Sequence, residues 1–194
     1  VLDRRAWTVD ADLGDATQVE ALMERAIGMV GQIDILINNA SIFPEDTVMD
    51  LSADALMRSV AIHAAAPLML SRRMARQDRP GHIVNLLDSR VEDYDRRHAS
   101  YHLGKRMLLT LTRMLALELA PRIAVNAVAP GLILPPEGQD LSYLQKLAES
   151  NPLKRYGDPK DITDAVLFLL QSDFITGQVI YIDGGRHLKG KVYG

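Results

Sequence analysis

The feature that most constrains the fold of this chain is a regular alternation of short apolar runs with longer helical patterns. The apolar runs, rich in β-branched residues, lie at positions 6–13, 33–40, 81–87, 122–128 and 178–183. Between them, apolar residues recur at helical spacing near positions 15–27, 52–76, 100–119, 143–149 and 159–170. Continuous apolar strands separated by helices are typical of a parallel sheet covered on both faces. The pattern therefore predicts a doubly wound α/β fold, in one domain over residues 1–194.

Composition narrows the class of protein. With 194 residues, of which 47% are hydrophobic, the chain is long enough to bury a sizeable core. The net charge of −3 and the scattered Lys and Arg residues argue against nucleic-acid binding, and no apolar run approaches the ~20 residues of a membrane span. The chain has no cysteine, which excludes disulfides, thiol catalysis and cysteine metal sites. We expect a cytoplasmic protein that binds neither nucleic acid nor membrane.

Three chemically active residues stand at the predicted end of a strand and the head of the next helix. Tyr101 and Lys105 are four apart, which places both side chains on one helix face. Asp88 closes the apolar run H-I-V-N-L-L, and the carboxyl ends of parallel strands hold the reactive groups of such sheets. An ammonium near a phenol favours the phenolate. Lys105 is therefore expected to lower the pKa of Tyr101 and to make it a usable acid at neutral pH.

Two of the predicted helices carry more apolar residues than one buried face requires. These residues are Leu56, Met57, Val60, Ala64, Ala65, Leu68 and Leu70 in the helix over 52–76, and Met107, Leu108, Leu111, Met114, Leu115, Leu117 and Leu119 in the helix over 100–119. A helix that covers one sheet face needs a single apolar stripe. The surplus favours packing against another subunit, and deep burial within one subunit is the alternative.

Six short motifs, in order along the chain, resemble the short-chain dehydrogenase/reductase family. They are D-A-D-L at 10–13, N-N-A-S at 38–41, the strand-end Asp88, Y-x-x-x-K at 101–105, N-A-V-A-P-G at 126–131 and I-D-G-G at 182–185. Each motif is weak alone, but their order and spacing over nearly the whole chain are specific. The resemblance implies a Rossmann-like fold, a nicotinamide dinucleotide cofactor and an oxidoreductase. It also implies a homotetramer or homodimer.

The resemblance further implies which residues hold the adenosine half of the cofactor. Asp12 would accept a hydrogen bond from the adenine amino group, with the Leu13 backbone beside it. Asn39 and Ala40, at a strand end, would lie along the adenosine. From the residues alone, Asp12 can instead be a turn residue and Asn39 a strand-end cap.

The resemblance also implies that one side chain and one loop contact the nicotinamide half of the cofactor. Lys105 would bind the ribose hydroxyls while it tunes Tyr101. Pro130, Gly131 and Leu132 would offer backbone groups to the carboxamide, where a glycine allows close approach. From the residues alone, the Pro-Gly pair can instead be ordinary loop residues that end the strand.

The glycine-rich turn with which the family opens is not found in this sequence. That turn holds the cofactor pyrophosphate at a helix N-terminus. The first predicted strand resembles the third strand of the family, so we expect roughly 50–60 further residues, about two βα units, before Val1. The chain thus resembles an N-terminally incomplete domain, and the choice of NADP(H) over NAD(H) follows from the resemblance alone.

The aspartate at position 88 indicates one branch of the family. Most members carry a serine thirteen residues before the tyrosine, whereas here Asp88 has that place and Ser89 follows it. Pteridine reductases and bacterial dihydromonapterin reductases resemble this chain in having aspartate there, and the ending D-G-G-R-H-L resembles the latter. N-N-A-S-I-F also resembles their pattern, in which Phe43 would stack on the pterin. Ser41 would then bind the substrate or a cofactor phosphate. From the residues alone, Asp88 can instead be a strand-end cap or form a loop salt bridge with Arg90, and Phe43 can pack within its own loop.

The expected reaction is NADPH-dependent reduction of a dihydropterin or dihydrofolate. Hydride would move to a ring carbon, while Tyr101 and Asp88 supply a proton to the adjacent nitrogen. One alternative is a reductase of a ketone or alcohol, with Asp88 or Ser89 in place of the usual serine. Another is a non-catalytic member of the fold.

His63 departs from the family pattern. It occupies the place where many members carry an asparagine that holds a relay water. An imidazole there either takes over the proton relay or serves as a structural histidine. No spacing of carboxylates and histidines resembles a metal site, so none is expected.

Overall fold

The fold is built on a sheet of four parallel strands. In a computed structural model, which describes residues 5–136 and 138–191, the strands are β1 (Ile35–Asn38), β2 (Gly81–Leu86), β3 (Ile123–Pro130) and β4 (Val179–Ile182). They lie in the order β1-β2-β3-β4, and each pair of neighbours is parallel. Because all strands run the same way, their carboxyl ends meet at one edge of the sheet.

Helices connect the strands. They are α1 (Ala16–Val30), α2 (Ala53–Val60), α3 (Ala66–Ala75), α4 (Ala99–Glu118), α5 (Leu141–Ala148), α6 (Pro159–Leu170) and a 3₁₀ helix over Arg186–Lys191. Asp15 caps α1 as its position predicts, because its side chain accepts from the Thr17 and Gln18 N–H groups. Within the described ranges, no helix combines the length and apolar character needed to cross a membrane.

Apolar side chains pack on both faces of the sheet. On one face α1, α3 and α4 cover a core that includes Val19, Met23, Leu70, Met74, Ile83, Leu115 and Val125. On the other face α6 contributes Val166 and Leu169, which pack with Val84, Leu86 and Val128. Successive residues of β2 thus serve opposite faces, as the alternation of side chains along a strand requires. This two-sided packing confirms the predicted doubly wound α/β fold.

The first predicted strand is not formed, so the prediction for residues 6–13 is wrong. Residues 5–12 have no regular secondary structure, and their side chains are mostly exposed. A strand needs a neighbour for its backbone N–H and C=O groups, and among the described strands β1 pairs only with β2. Ile35 and Ile37 on β1 are accordingly 46% and 45% exposed. β1 is therefore the edge of the described sheet.

The helix predicted over 52–76 is continuous but changes geometry midway. α2 and α3 are joined by one π turn over Ala61–Ala65. Pro67 has no N–H, so the His63 carbonyl four residues earlier lacks its α-helical donor. The Ala66 N–H bonds to the Ala61 carbonyl, five residues back. His63 lies in this turn and is only 1% exposed.

One face of the α3–α4 pair is apolar and exposed. A groove of about 520 Å³ runs along it, with an apolar lining of Ala64, Ala65, Leu68, Leu103, Met107, Leu111 and Met114. Met114 and Leu117 are 62% and 85% exposed. Deep burial within one subunit therefore does not account for the apolar surplus on these helices. The subunit interface remains a prediction.

Candidate active site

The carboxyl edge of the sheet gathers most of the residues predicted for the site. Asn39 follows β1, Asp88 lies two residues beyond β2, and Pro130 ends β3. Tyr101 and Lys105 lie in the first turns of α4, the helix that follows β2. A parallel register forces this convergence, because each strand delivers its last residues to the same side.

A buried chain of polar side chains holds this edge in register. Asn38 Nδ2 donates to Asn85 Oδ1 at 2.8 Å, and Asn85 Nδ2 donates to Thr112 Oγ1 at 2.9 Å. These bonds connect β1, β2 and α4, and each buried amide gains the partner that it needs. The strand that precedes the candidate cofactor residues is thereby tied to the helix that carries Tyr101.

Asp88 and Tyr101 are in direct contact. The Tyr101 hydroxyl donates to Asp88 Oδ2 at 2.8 Å, and Asp88 Oδ1 accepts from the Arg90 N–H at 2.7 Å. Lys105 Nζ donates to the Leu86 carbonyl at 2.6 Å and lies 5.8 Å from the centre of the Tyr101 ring. The tyrosine and the lysine are 7% and 3% exposed. The structure thus brings together the three residues that the sequence expected to meet.

The expected effect of Lys105 on the pKa of Tyr101 is wrong. Burial and the nearby Asp88 carboxylate both disfavour the phenolate and raise the pKa of Tyr101. Burial also disfavours the ammonium and lowers the pKa of Lys105 to about 8, although Asp88 opposes that shift. The carboxylate is within hydrogen-bond distance of the phenol, whereas the ammonium is held at the end of β2. Tyr101 is therefore a neutral phenol at pH 7.

Phe43 forms an aromatic wall beside this pair. Its ring stacks on His98 with centroids 3.8 Å apart and meets the Tyr101 ring edge-on at 4.7 Å. Asp46, on the same loop, accepts from the Ser100 N–H at 2.9 Å and also from the Ser100 hydroxyl. This carboxylate caps α4, whose own N-cap residue makes no side-chain capping bond. The cap attaches the Phe43 loop to the helix of Tyr101.

The loop between β2 and α4 supplies residues that the sequence analysis did not single out. Asp95 lies 2.8 Å from His98 Nδ1, 3.3 Å from His102 Nε2 and 3.1 Å from Arg90 Nη1. Burial alone would raise the pKa of Asp95, but hydrogen bonds from His98, the Arg97 N–H and His102 hold it well below its usual range. Asp95 thereby fixes the histidine behind Phe43. In the sequence, His98 and His102 follow Asp95 by three and seven residues, at the start of a predicted helix. This spacing is the signal from which the contacts of Asp95 could have been predicted.

Both ring nitrogens of His63 have protein partners. Nδ1 lies 3.0 Å from Ser59 Oγ, while Nε2 lies 2.9 Å from Ser41 Oγ and accepts from the Ile42 N–H at 3.3 Å. Burial and the positive charge of Lys105 lower the pKa of His63 to about 4, so the ring is neutral at pH 7. These contacts favour a satisfied structural histidine over a proton relay.

The loop of Pro130, Gly131 and Leu132 follows β3 against the end of β4. The Gly131 N–H donates to the Ile182 carbonyl at 2.9 Å, and a Cβ at Gly131 would lie 2.6 Å from Asp183 Cβ. The close passage of the chain after β4 therefore requires the glycine. The Leu132 N–H makes no backbone hydrogen bond to another described residue. It is the group of this loop that is free to meet a carboxamide.

Asp12 lies in an exposed turn before α1. Arg58 Nη1 and Nη2 each lie 3.1 Å from one of its carboxylate oxygens, and the Gly14 N–H donates to it at 2.8 Å. These hydrogen bonds lower the pKa of Asp12. Leu13 packs against the core on the α1 side of the sheet. The roles expected for Asp12 and Leu13 at the adenine remain predictions.

Two cavities meet at Pro130. One of about 580 Å³ runs beside Asn39 over the end of the sheet. The other, of about 160 Å³, is lined by Phe43, Asp88 and Tyr101, among other residues. Pro130 lines both cavities. The lining of the larger cavity is mainly apolar and comes largely from α6, with Asn39 and Thr163 as its polar side chains.

Arg186 also lines the smaller cavity and was missed by the sequence analysis. Burial and the charge of Arg90 lower the pKa of this guanidinium, whereas Asp88 raises it. Its side chain makes no hydrogen bond within the described part of the chain. The ending D-G-G-R-H-L was the signal that could have indicated it.

Comparison with protein families and sequences gives consistent matches. The profile of a family described as Enoyl-(Acyl carrier protein) reductase matches residues 2–187. Dihydromonapterin reductase of Citrobacter koseri is 32% identical over 189 residues, which cover 95% of this chain and 79% of that protein. An uncharacterized oxidoreductase of Mycobacterium tuberculosis is 33% identical over 197 residues, covering 94% and 73%.

Solved structures with the same fold are similar in sequence as well. FolM alternative dihydrofolate reductase 1 from Brucella canis, complexed with NADP, superposes with a TM-score of 0.85 at 38% identity, covering 93% of this chain and 72% of that chain. A blue fluorescent protein from a metagenomic library, in complex with NADPH, gives a TM-score of 0.81 at 32% identity, covering 91% and 74%.

Proposed function

Because the chain belongs to the short-chain dehydrogenase/reductase family, we propose that it is an NADPH-dependent reductase of a dihydropterin or dihydrofolate. The observation that carries the proposal is the 2.8 Å hydrogen bond between the Tyr101 hydroxyl and Asp88 Oδ2, beside the aromatic wall of Phe43. The Asp88 carboxylate offers lone pairs to the N–H and amino groups of a pterin. Relatives named dihydromonapterin reductase and alternative dihydrofolate reductase support this substrate class.

The proposed cofactor is NADP(H), and residues of this chain fit its nicotinamide half. When bound, it supplies the hydride. Lys105 would bind the ribose hydroxyls beside Tyr101, and the Leu132 N–H would bind the carboxamide. Asn39 lines the larger cavity, with Ala40 next to it along the adenosine half. The similar structures that contain NADP or NADPH support the phosphorylated form.

The proton for the ring nitrogen comes from the Tyr101–Asp88 pair. The raised pKa of Tyr101 disfavours a lasting phenolate. As the phenol gives its proton to the ring nitrogen, the Asp88 carboxylate, whose Oδ2 lies 2.8 Å from the hydroxyl, passes a proton from solvent to the phenol oxygen. One hydride at the ring carbon and one proton at the adjacent nitrogen together complete the reduction of the C=N bond.

The substrate ring would lie between the nicotinamide and Phe43. Phe43 is 51% exposed while His98 supports its ring, so aromatic surface remains for stacking. Ser41 would bind the edge of the substrate ring. The ketone alternative with Ser89 has less support, because the side chain that meets the Tyr101 hydroxyl is Asp88 and not Ser89.

Substrate choice tests the proposal directly. The full-length protein is assayed for NADPH oxidation with a dihydropterin, with dihydrofolate and with a simple ketone. We expect turnover of at least one of the two pteridines. Turnover of the ketone alone would contradict the pterin assignment while leaving the family unchanged.

We also propose that the protein works in the cytoplasm as a homotetramer or homodimer joined through the α3–α4 groove. Met107 and Met114 face this groove, and exposed apolar surface of this extent favours association. Light scattering after gel filtration should give a multimer. Met114→Lys should shift it toward the monomer, whereas Lys146→Met on α5, outside the groove, should not. If the wild-type protein is a monomer, the proposed interface is wrong.

A further inference from the structure

We propose that Arg186 makes the smaller cavity a binding site for an anion on the side chain of the substrate, so that the enzyme prefers a pterin whose side chain carries a phosphate or a carboxylate. The inference rests on the proposed function and concerns the part of the substrate that lies beyond the ring. Arg186 takes no part in hydride or proton transfer and is a specificity-determining residue.

A tight turn after β4 fixes the backbone of Arg186. Gly184 and Gly185 have positive φ angles of 65° and 83°, a conformation that glycine adopts without strain. The Asp183 carboxylate accepts from the Gly185 N–H at 2.9 Å and from the His187 N–H at 2.7 Å. The residues on both sides of Arg186 are therefore bonded to one buried carboxylate, which holds the turn in place.

The charged end of Arg186 lies at the smaller cavity. Arg186 is one of the residues that line this cavity, together with Asp88, Arg90 and Tyr143. Burial and the charge of Arg90 lower the pKa of Arg186, whereas Asp88 and Tyr143 raise it. These influences come from residues of the cavity lining, so the guanidinium lies among them. A guanidinium keeps its positive charge at pH 7.

The charged groups beside Arg186 already have partners in the protein. Arg90 Nη1 donates to Asp95 Oδ2 at 3.1 Å, and Arg90 Nη2 donates to the Tyr94 carbonyl at 3.0 Å. The two oxygens of Asp88 accept from the Arg90 N–H and from the Tyr101 hydroxyl. These contacts fix the positions of the Arg90 guanidinium and the Asp88 carboxylate.

Arg186 differs from these neighbours. Among the described residues, its side chain forms neither a hydrogen bond nor an ion pair. Asp183, the nearest carboxylate along the chain, uses its oxygens on the turn itself and on His187 Nδ1 at 2.9 Å. A guanidinium has five N–H donors, and a partly buried polar group is stabilised when it gains an acceptor. A ligand in the cavity can supply that acceptor.

The geometry of the cavity indicates which part of the ligand reaches Arg186. Asp88 and Tyr101 would hold the reacting ring, and the cavity of about 160 Å³ leaves Arg186 and Tyr143 to face what the ring carries. A guanidinium binds a phosphate or a carboxylate through two parallel N–H···O bonds. Such charge-assisted bonds are roughly twice as strong as those to a neutral hydroxyl. An anionic side chain therefore fits this site better than a neutral one.

The test uses two matched pairs of substrates with the full-length protein and saturating NADPH. The first pair is a dihydropterin with a trihydroxypropyl side chain and the same compound phosphorylated on its terminal hydroxyl. The second pair is dihydrofolate and its diamide, which has no carboxylate. We expect wild-type kcat/KM to favour the anionic member of at least one pair by about 10- to 100-fold. The pair that shows the preference identifies the anion as phosphate or carboxylate.

Variants of Arg186 link that preference to the guanidinium. Arg186→Met removes the charge and keeps most of the side-chain length, so the ratio should fall close to one. Arg186→Lys keeps the charge without the fork of donors and should retain part of the preference. Arg155→Met is the matched control, because Arg155 is exposed and lies outside the lining of the smaller cavity. It makes the same change in net charge and should leave the ratio intact.

A second readout does not depend on turnover. Oxidised forms of the same pterins are titrated by fluorescence against the protein with NADP bound. We expect the Kd of the wild-type protein to favour the anionic form, and added salt to narrow the difference because it screens the charges. Arg186→Met should remove both effects.

The outcomes separate the two proposals. If no pterin is reduced and only a ketone is, the proposed function fails. If pterins are reduced without preference for either anionic member, the function stands and the anion site is wrong. If Arg186→Met leaves the preference unchanged, or weakens only the binding of NADPH, the assignment to Arg186 is wrong.

Discussion

The two sides of the site are held in different ways. The proposed reacting side consists of Asp88, Tyr101 and Lys105 at the junction of β2 and α4, where the tyrosine and lysine are almost fully buried. The facing side is the loop of Phe43, which is half exposed and is attached to α4 through Asp46. β2 and α4 must form for the protein to fold, and they hold the first side in place. The loop of Phe43 is held only by a few polar contacts. Chemistry and substrate choice should therefore respond separately to mutation.

Tyr101→Phe should give the largest effect, on the reacting side. It removes the hydroxyl that we propose transfers the proton, and it keeps the ring against Phe43. We expect kcat to fall by roughly 10³-fold, within the usual range for general acid catalysis. Steady-state kinetics measure this, and an unchanged melting temperature shows that the fold is intact. If activity falls less than about tenfold, proton transfer does not pass through this phenol.

Asp88→Asn should give the next largest effect. The amide oxygen can still accept from the Arg90 N–H, which keeps the turn, but the amide cannot pass a proton to Tyr101 as the proposed mechanism requires. We expect kcat for the pterin to fall by about 100-fold with little change in KM. Asp88→Ser should also impair pterin reduction strongly. Unchanged kcat/KM in either variant would remove Asp88 from the mechanism.

His63 contacts a residue on each side of the site, Ser41 and Tyr101. Its protonation also affects the stability of the folded protein. Its pKa in the folded protein is about 4, below the ordinary value of 6.5. Between these values the unfolded chain binds a proton that the folded chain excludes, so stability is full above pH 6.5 and is lost as the pH falls toward 4. We expect this histidine to account for about 2 kcal/mol of the loss between pH 7 and pH 4.5. Urea unfolding of wild type and His63→Asn at both values measures it. A loss of equal size in the variant would contradict the assignment.

Asp46→Ala should give the smallest of these effects, confined to the loop side. It removes the cap of α4 and the attachment of the Phe43 loop, so substrate stacking weakens. We expect KM for the pterin to rise by about tenfold with kcat nearly unchanged, and stability to fall by about 1 kcal/mol. Asp46→Asn keeps an oxygen that can cap Ser100 and should recover most of the KM. A fall in kcat as large as that of Asp88→Asn would mean that the two sides are not independent.

Most of the fold could be predicted from the sequence, because the spacing of apolar residues indicates which segments form helices and which form strands. The helices predicted over 15–27 and 159–170 are found in the structure as α1 and α6. The prediction failed at residues 6–13, where the residues have strand character but no strand among the described residues lies beside them. A segment forms a strand only beside a neighbouring strand, and the residues of the segment do not show whether that neighbour is present.

The site shows the same division. The spacing of Asp88, Tyr101 and Lys105 was enough to predict that they meet, since strand ends and helix faces follow from periodicity. The sequence did not predict that Asp95 and His98 support Phe43, because side-chain contacts within an irregular loop have no period. It also gave the wrong direction for the pKa of Tyr101, since burial and distances to charges exist only in the folded molecule.

By itself, the order of motifs determined the fold class, the family and the candidate reacting residues. Only the tertiary structure decided which proton positions those residues can hold. It placed the carboxylate of Asp88 against the phenol, held the ammonium of Lys105 at the end of β2 and buried His63 between Ser59 and Ser41. The reason is physical: motifs record which groups are present, whereas protonation depends on burial and on distances of a few ångströms between groups far apart in the chain.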